Sequence, residues 1–373
     1  MSLGIAILGS TGSIGRSTLA VLERHRDRFN VVALTAHSNA ALLESQAKTW
    51  RPGYVGMVNG GAERNGVGHG PGCLVEAATH PDVRIVVNGV VGAAGLEATL
   101  AALRAGKRVA LANKEALVMA GELVTAAARA GGGEIVPVDS EHSAVLQCLA
   151  GKSMQDVSRL VLTASGGPFR TWEPDRIARA SVEEALQHPT WKMGRKISVD
   201  SATLVNKALE VIEAHFLFGL GFPQVDVVVH PQSVVHAFVE LVDGSVLAQL
   251  GFPNMELPIL YALTHPERVP DSGPRRFDAL AAGALTFEPV VPQRFPAYAL
   301  GRSAGIAGGT APATFNAANE AAVESFLAGK IRFGRIAEII ERVLGSAEQH
   351  PASSLEAVFE ADRSARRRAG ELA

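Results

Sequence analysis

Apolar residues in the first third of the chain recur in two alternating rhythms. Short β-rich runs at Ile5–Leu8, Val31–Leu34, Tyr54–Val58, Ile85–Asn88 and Arg108–Leu111 are separated by helically spaced stretches, from about Ser13, over Ala41–Lys48 and over Leu96–Arg104. This alternation predicts βαβ units around a parallel sheet. The glycine-rich stretch from Asn59 to Gly72 fits neither rhythm and reads as a mobile surface loop.

From Glu134 the rhythm changes: the runs Ile135–Val138, Leu160–Thr163, Val225–Val229, Val234–Leu241 and Ser245–Gln249 lie closer together and partly alternate. Asp243-Gly244 is a hairpin signal, so part of a second sheet is expected to be antiparallel. Prolines cluster from Pro266 to Pro296, and Ala313–Leu327, Ile331–Leu344 and Leu355–Glu371 return to helical spacing. The expected organisation is a parallel-sheet α/β domain over 1–138, a central α+β domain over 139–268, a linker over 269–298 and a helical C-terminal domain over 299–373.

Composition narrows the classes. A chain of 373 residues exceeds a single core, and 47% hydrophobic against 19% charged residues marks a globular protein. The net charge of −2, without a basic stripe, gives no attraction to nucleic acid. Polar or glycine residues interrupt every apolar run before the roughly 18 residues that span a bilayer, so no membrane partner is expected. A strand begins almost at the first residue, leaving no room for a leader, and the cytoplasm is expected. Cys73 and Cys148 have no CxxC spacing and read as small buried hydrophobes.

The first chemical signal is Ile5–Leu8 running into Gly9-Ser10-Thr11-Gly12-Ser13-Ile14-Gly15 and then a helical pattern. Strand, glycine turn and helix start offer backbone N–H groups and positive potential to a pyrophosphate, as in Rossmann-like domains. A glycine turn holding no nucleotide is the plainer reading. Where enzymes using NAD place an acid, at the end of the second strand, this chain has His37, Ser38 and Asn39. No carboxylate repels a 2′-phosphate there, so NADPH is expected over NADH. Asn113, Lys114 and Glu115 follow the strand Arg108–Leu111 and face the same crevice, unless they are only a charged helix start.

A second signal is Asp139-Ser140-Glu141, two carboxylates on one face if the strand persists. They fit a hard cation such as Mg²⁺ or Mn²⁺, or else they cap the next helix or pair with bases. The segment Lys196–Glu210 reads as an extended start, a cap and a helix that puts Asn206, Lys207 and Glu210 on one polar face. That face suits a phosphorylated substrate beside a metal, or it is a solvated ion pair. Ser165-Gly166-Gly167 is a phosphate-sized loop or a plain turn. His188-Pro189-Thr190-Trp191-Lys192-Met193-Gly194-Arg195 sets an aromatic and a thioether in a loop, which marks a candidate lid.

GSTGSIG at 9–15, LANKE at 111–115, PVDSEH at 137–142, TASGGPFR at 163–170, HPTWKMGRKISVDSATLVNKALEVIEA at 188–214, HPQSVVH at 230–236 and NAANE at 316–320 run in the order found in one family. The chain resembles the 1-deoxy-D-xylulose 5-phosphate reductoisomerases.

The resemblance implies a metal held by Asp139, Glu141 and Glu210. It implies phosphate contacts from Ser165, Ser201, Asn206 and Lys207, with Ser140 and Lys207 also at substrate oxygens near the metal. His188, Trp191 and Met193 match the closing loop over the substrate. Thr11, Gly12, Ser13, Ile14, Asn113 and Glu115 match cofactor contacts, to which His37, Ser38, Asn39, Lys114 and Gly194 are added. The implied reaction rearranges the carbon skeleton of the sugar phosphate to an aldehyde by retro-aldol and aldol steps. NADPH then reduces the aldehyde to 2-C-methyl-D-erythritol 4-phosphate. The central domain is then catalytic and dimerising, in a homodimer. Departures are local: His37-Ser38 replaces a usual glycine and basic residue, Ala164 a common glycine and Lys192 a common serine.

Overall fold

Ile5, Ala6, Ile7 and Leu8 have no exposed surface, so the first strand is covered on both faces, as a parallel sheet between helical layers requires. The computed structural model describes residues 2–59, 67–191 and 193–373. They divide into two compact units, one comprising the chain up to Ala116, Val124–Leu146 and Asn254–Arg275, the other Leu117–Leu123, Gln147–Pro253 and Arg276–Ala373.

The first unit runs β1 (Leu3–Leu8), α1 (Ser13–Arg24), β2 (Phe29–Ala36), α2 (Ala40–Trp50), β3 (Tyr54–Met57), β4 (Val67–His69), α3 (Gly72–Thr79), β5 (Ile85–Asn88), α4 (Leu96–Arg104), β6 (Arg108–Leu111), α5 (Lys114–Gly131) apart from 117–123, β7 (Glu134–Pro137) and α6 (Ser140–Cys148) as far as Leu146. The strands form one sheet in the order β4-β3-β2-β1-β5-β6-β7, each neighbouring pair parallel. The order reverses at β1, which opens a crevice at the carboxyl ends of β1 and β5.

Three expectations change here. Of the stretch read as a mobile loop, 60–66 lies outside the described residues, but Val67–His69 pairs with β3 and Gly72 opens α3. β7, grouped by its rhythm with the later strands though inside the expected 1–138 domain, pairs with β6 and closes the first sheet. Residues 254–268, expected in the central domain, pack in this unit: Ile259, Leu260, Ala262 and Leu263 of the helix Glu256–Thr264 join the core of β1 and α1. Arg24 of α1 clasps that return, with Glu256 and Asp271 each at 2.6 Å, and holds the Asp271 carboxyl down at about 2.

The second unit has a mixed sheet of β8 (Val157–Ala164), β9 (Val225–Val229), β10 (Val235–Leu241), β11 (Val246–Leu250) and β12 (Glu288–Pro289), ordered β11-β10-β8-β9-β12. β8 and β9 are parallel and the other pairs antiparallel, with the expected hairpin at Asp243-Gly244, where Gly244 has φ +84°. The helices α7 (Arg195–Ala202), α8 (Val205–Phe218), α9 (Pro296–Ala307), α10 (Ala311–Leu327), α11 (Arg335–Ser346) and α12 (Leu355–Leu372) follow. One core joins them: Val199 and Ala202 of α7 and Ile212 of α8 pack with Phe315, Phe326 and Ile336. The C-terminal helices therefore share the core of the central segment, which the expected boundary at 299 separated. Among the described residues no helix is long and apolar enough to cross a membrane.

Candidate active site

The glycine turn follows β1 as expected. Gly9 takes φ +80°, and a methyl built on it would meet the Gly89 carbonyl oxygen at 3.0 Å, so the loops after β1 and β5 touch where the strand order reverses. Gly12 sits at the N-cap of α1 with no side-chain cap and no acid in the first turn. The amides of Ser13, Ile14 and Gly15 precede the first intrahelical bond, Arg16 N–H to the Gly12 carbonyl at 3.0 Å. An uncapped helix end of this kind presents free N–H groups and positive potential, as an anion would require. Gly15 is required by packing, since a Cβ there would lie 2.4 Å from Ser10 Cα. Gly12 is not so constrained, its nearest such contact being 3.3 Å.

Sequence reasoning missed the clamp on this turn. Gln46 of α2 accepts from Ser10 Oγ at 2.7 Å and donates to the Ser10 carbonyl at 2.9 Å, and Thr35 Oγ1 accepts from Gly9 N–H at 3.3 Å. A lone glutamine on an amphipathic helix carried no signal of that role.

His37, Ser38 and Asn39 lie exposed after β2. Asn39 caps α2, accepting from Leu42 N–H at 3.2 Å, and the His37 ring meets Asn59 Nδ2 at 2.9 Å. Asn113 caps α5 and is 1% exposed. Its Nδ2 lies 2.9 Å from each of the Val90 carbonyl, the Gly92 carbonyl and Glu115 Oε2. Asn113 thus ties the loop after β5 to α5, a structural duty beyond the helix-start charge that spacing offered.

Asp139 and Glu141 do not extend a strand. β7 ends at Pro137, Asp139 Oδ1 accepts from Ser140 N–H at 3.2 Å and its carbonyl from Ser143 N–H at 2.8 Å, so Asp139 starts α6 and Glu141 lies in the first turn. The helix start, rather than a pleat, sets these acids, and its N–H groups offset part of their charge. Lys114 Nζ pairs with Asp139, and Ser140 Oγ donates to Glu141 at 2.5 Å. The oxygen donors suit a hard cation.

In the second unit, α7 begins at Arg195, where an extended start was expected, and ends before Leu204, a non-glycine residue at φ +56°. The kink separates α7, bearing buried Ser201, from α8, where Asn206 Nδ2 donates to Glu210 Oε1 at 2.6 Å and Lys207 Nζ pairs with Glu210. Lys207 is 3% exposed and Glu210 1%, which excludes the solvated surface pair. Burying two charges costs several kcal/mol each and is seldom a net gain in stability, so a chemical role accounts for the pair better.

The loop after β8 turns through Gly166 at φ +84° and Gly167 at +65°, and a Cβ on Gly167 would meet the Ser201 carbonyl oxygen at 2.7 Å. Ser165 and the end of α7 therefore adjoin. His188 joins them: Nδ1 accepts from Thr190 N–H at 3.2 Å and Trp191 N–H at 2.8 Å, leaving Nε2–H to face Ser165 Oγ at 3.0 Å. Burial pushes the His188 pKa down to about 4, which keeps the ring neutral. Ser165 Oγ also accepts from Gly167 N–H at 3.1 Å, so its own proton remains for an anion. Half-buried Trp191 sets its ring 6.4 Å from that of His236, Met193 is also half-buried, and exposed Gly194 stands at the N-cap of α7. Lys192 lies outside the described residues.

Known proteins resemble the chain over nearly all its length. Residues 5–121 match the family model 1-deoxy-D-xylulose 5-phosphate reductoisomerase, 135–218 its C-terminal domain and 250–368 the DXP reductoisomerase C-terminal domain. The 1-deoxy-D-xylulose 5-phosphate reductoisomerase of Ralstonia nicotianae is 51% identical, covering 98% of this chain and 96% of its own. That of Geobacter metallireducens is 50% identical, covering 99% and 98%. The Zymomonas mobilis enzyme in complex with NADPH superposes with TM-score 0.92 at 42% identity, over 100% of this chain and 99% of its own. A DOX-P reductoisomerase in complex with NADPH, fosmidomycin and magnesium superposes at 0.94 with 41% identity, over 99% and 98%. With a parallel sheet reversing at a glycine turn, a buried Lys207–Glu210 pair and kinship at this level, the chain belongs to the 1-deoxy-D-xylulose 5-phosphate reductoisomerase family.

Proposed function

We propose that this chain converts 1-deoxy-D-xylulose 5-phosphate to 2-C-methyl-D-erythritol 4-phosphate, an isoprenoid precursor, with NADPH and Mg²⁺ or Mn²⁺. The observation carrying the reading is the kinship at about half identity along the whole chain. When bound, the cation supplies positive charge beside the substrate ketone and hydroxyl oxygens, and NADPH supplies the hydride.

The chain's residues divide the remaining work. Thr11, Gly12, Ser13 and Ile14 would hold the pyrophosphate on the uncapped end of α1, an assignment supported by the Gly15 packing that leaves room for nothing larger. His37, Ser38 and Asn39 would donate to the 2′-phosphate, and Lys114, Glu115 and Gly194 would complete the cofactor site, with Asn113 holding its loops. Asp139, Glu141 and Glu210 would bind the cation. Lys114 and Lys207 support that assignment, because each offsets one of these carboxylates within its own unit. Ser165 and Ser201 would donate to the substrate phosphate with Asn206 and Lys207, whose ammonium also reaches the reacting oxygens with Ser140. His188, Trp191 and Met193 would close over the substrate and exclude water. Binding the remote phosphate orients the reacting carbons.

The active form in this reading is a homodimer, by family likeness, acting in the cytoplasm, with 139–268 as the catalytic and dimerising segment. Light scattering that returns a monomer at working concentration would remove the dimer. The activity is tested by NADPH oxidation with 1-deoxy-D-xylulose 5-phosphate, with and without Mg²⁺ or Mn²⁺. Turnover unaffected by metal removal would make the chain a simple dehydrogenase.

A further inference from the structure

Asp200, beside Ser201 on α7, is 1% exposed, and both its oxygens are gripped. Lys196 Nζ lies 2.8 Å from Oδ2 within the same helix, and Asn319 Nδ2 of α10 donates to Oδ1 at 2.8 Å. The chain of contacts continues: Lys196 Nζ is 3.9 Å from Glu320 Oε1, Glu320 Oε2 accepts from Arg366 of α12 at 2.5 Å, and Arg366 pairs with Asp362 at 2.8 Å. α7 and α10 also share an apolar core, Val199 and Ala202 of the one with Phe315, Ala318 and Phe326 of the other, and apolar contact of this kind is non-directional. Asn319 is moreover a costly way to fill space, because its Oδ1 is buried with no partner among the described residues. In some proteins a polar group kept in the core at such a cost fixes the register of its elements.

We infer that Asn319 and Lys196 are positioning residues for the substrate phosphate: by holding the two oxygens of Asp200 they fix α7 against α10 and so set the place of the Ser201 hydroxyl. The inference rests on the reading of Ser201 as a phosphate contact. No sequence spacing links these groups, since Asp200 and Asn319 are 119 residues apart.

The test is steady-state kinetics of the full-length Mg²⁺ enzyme carrying Asn319→Leu, alone and combined with Ser201→Ala. Alone, it raises KM for 1-deoxy-D-xylulose 5-phosphate about tenfold, leaves kcat within about twofold and leaves KM for NADPH unchanged. In the Ser201→Ala background it adds less than about twofold, because the group it positions is gone. Equal effects in the two backgrounds overturn the inference, as does a uniform fall in kcat with both KM values unchanged, the mark of lost folded enzyme. Ser201→Ala without effect on KM overturns instead the phosphate reading beneath it. If Asn319→Leu does not fold, Lys196→Met frees the other oxygen of Asp200 and is held to the same pattern.

Discussion

His188 Nδ1 takes the backbone N–H groups of Thr190 and Trp191, and so its Nε2–H is aimed at Ser165 Oγ, 3.0 Å away. The candidate lid and the phosphate loop are thereby joined through a neutral imidazole.

A pH dependence of stability follows. Burial lowers the His188 pKa from its ordinary 6.5 to about 4. Between those values the unfolded chain binds a proton that the folded chain refuses, so this group's contribution to stability rises with pH from about 4 to 6.5 and is then constant. Denaturant titrations across that window should show a shallower rise for His188→Gln than for the parent. Identical slopes would mean the ring is not buried neutral.

Glu210→Gln keeps the shape of the side chain but removes its charge. Turnover should fall by more than about a hundredfold, while the dissociation constant for NADPH stays within about twofold, because α1 and α8 belong to different units. Chelation of the metal should have the same split effect on the parent. A variant with parental turnover would remove Glu210 from the cation site.

The two glycines of the turn should separate folding from binding. Gly15→Ala places a Cβ 2.4 Å from Ser10 Cα and should cost about 1–3 kcal/mol of stability together with NADPH affinity. Gly12→Ala meets only one atom, at 3.3 Å, and should fold normally yet bind NADPH at least about tenfold more weakly. Normal NADPH fluorescence titration of Gly12→Ala would place the pyrophosphate elsewhere.

Cofactor choice should be open to improvement. Ser38 is exposed at the end of β2, and Ser38→Arg should increase the ratio of kcat/KM for NADPH over NADH by about tenfold, through a charge-assisted bond to the 2′-phosphate. A ratio unchanged by the substitution would put the 2′-phosphate out of reach of this loop.

What the chain's own pattern determined is local. The apolar runs of β1, β2, β5 and β6, the glycine turn and the hairpin at Asp243-Gly244 each follow from spacing within about ten residues, where backbone sterics and periodicity act. Local signals also misled: Asp139 and Glu141 have strand-like spacing, yet Asp139 accepts from Ser140 N–H and Ser143 N–H at the start of α6, and 195–202 winds into a helix with Gly194 at its N-cap. Burial was decided elsewhere. Lys207 and Glu210 stand at i and i+3 in a solvated helix as much as in a core, and α9, α10 and α11 pack in the one core that also takes up α8. The same holds for Gln46 on Ser10, for Asn319 on Asp200, and for the return of 254–275 to β1 and α1. A side chain's spacing is a property of its neighbours in the chain, whereas its desolvation depends on segments a hundred or more residues away, so the tertiary structure alone separated a surface ion pair from a buried one.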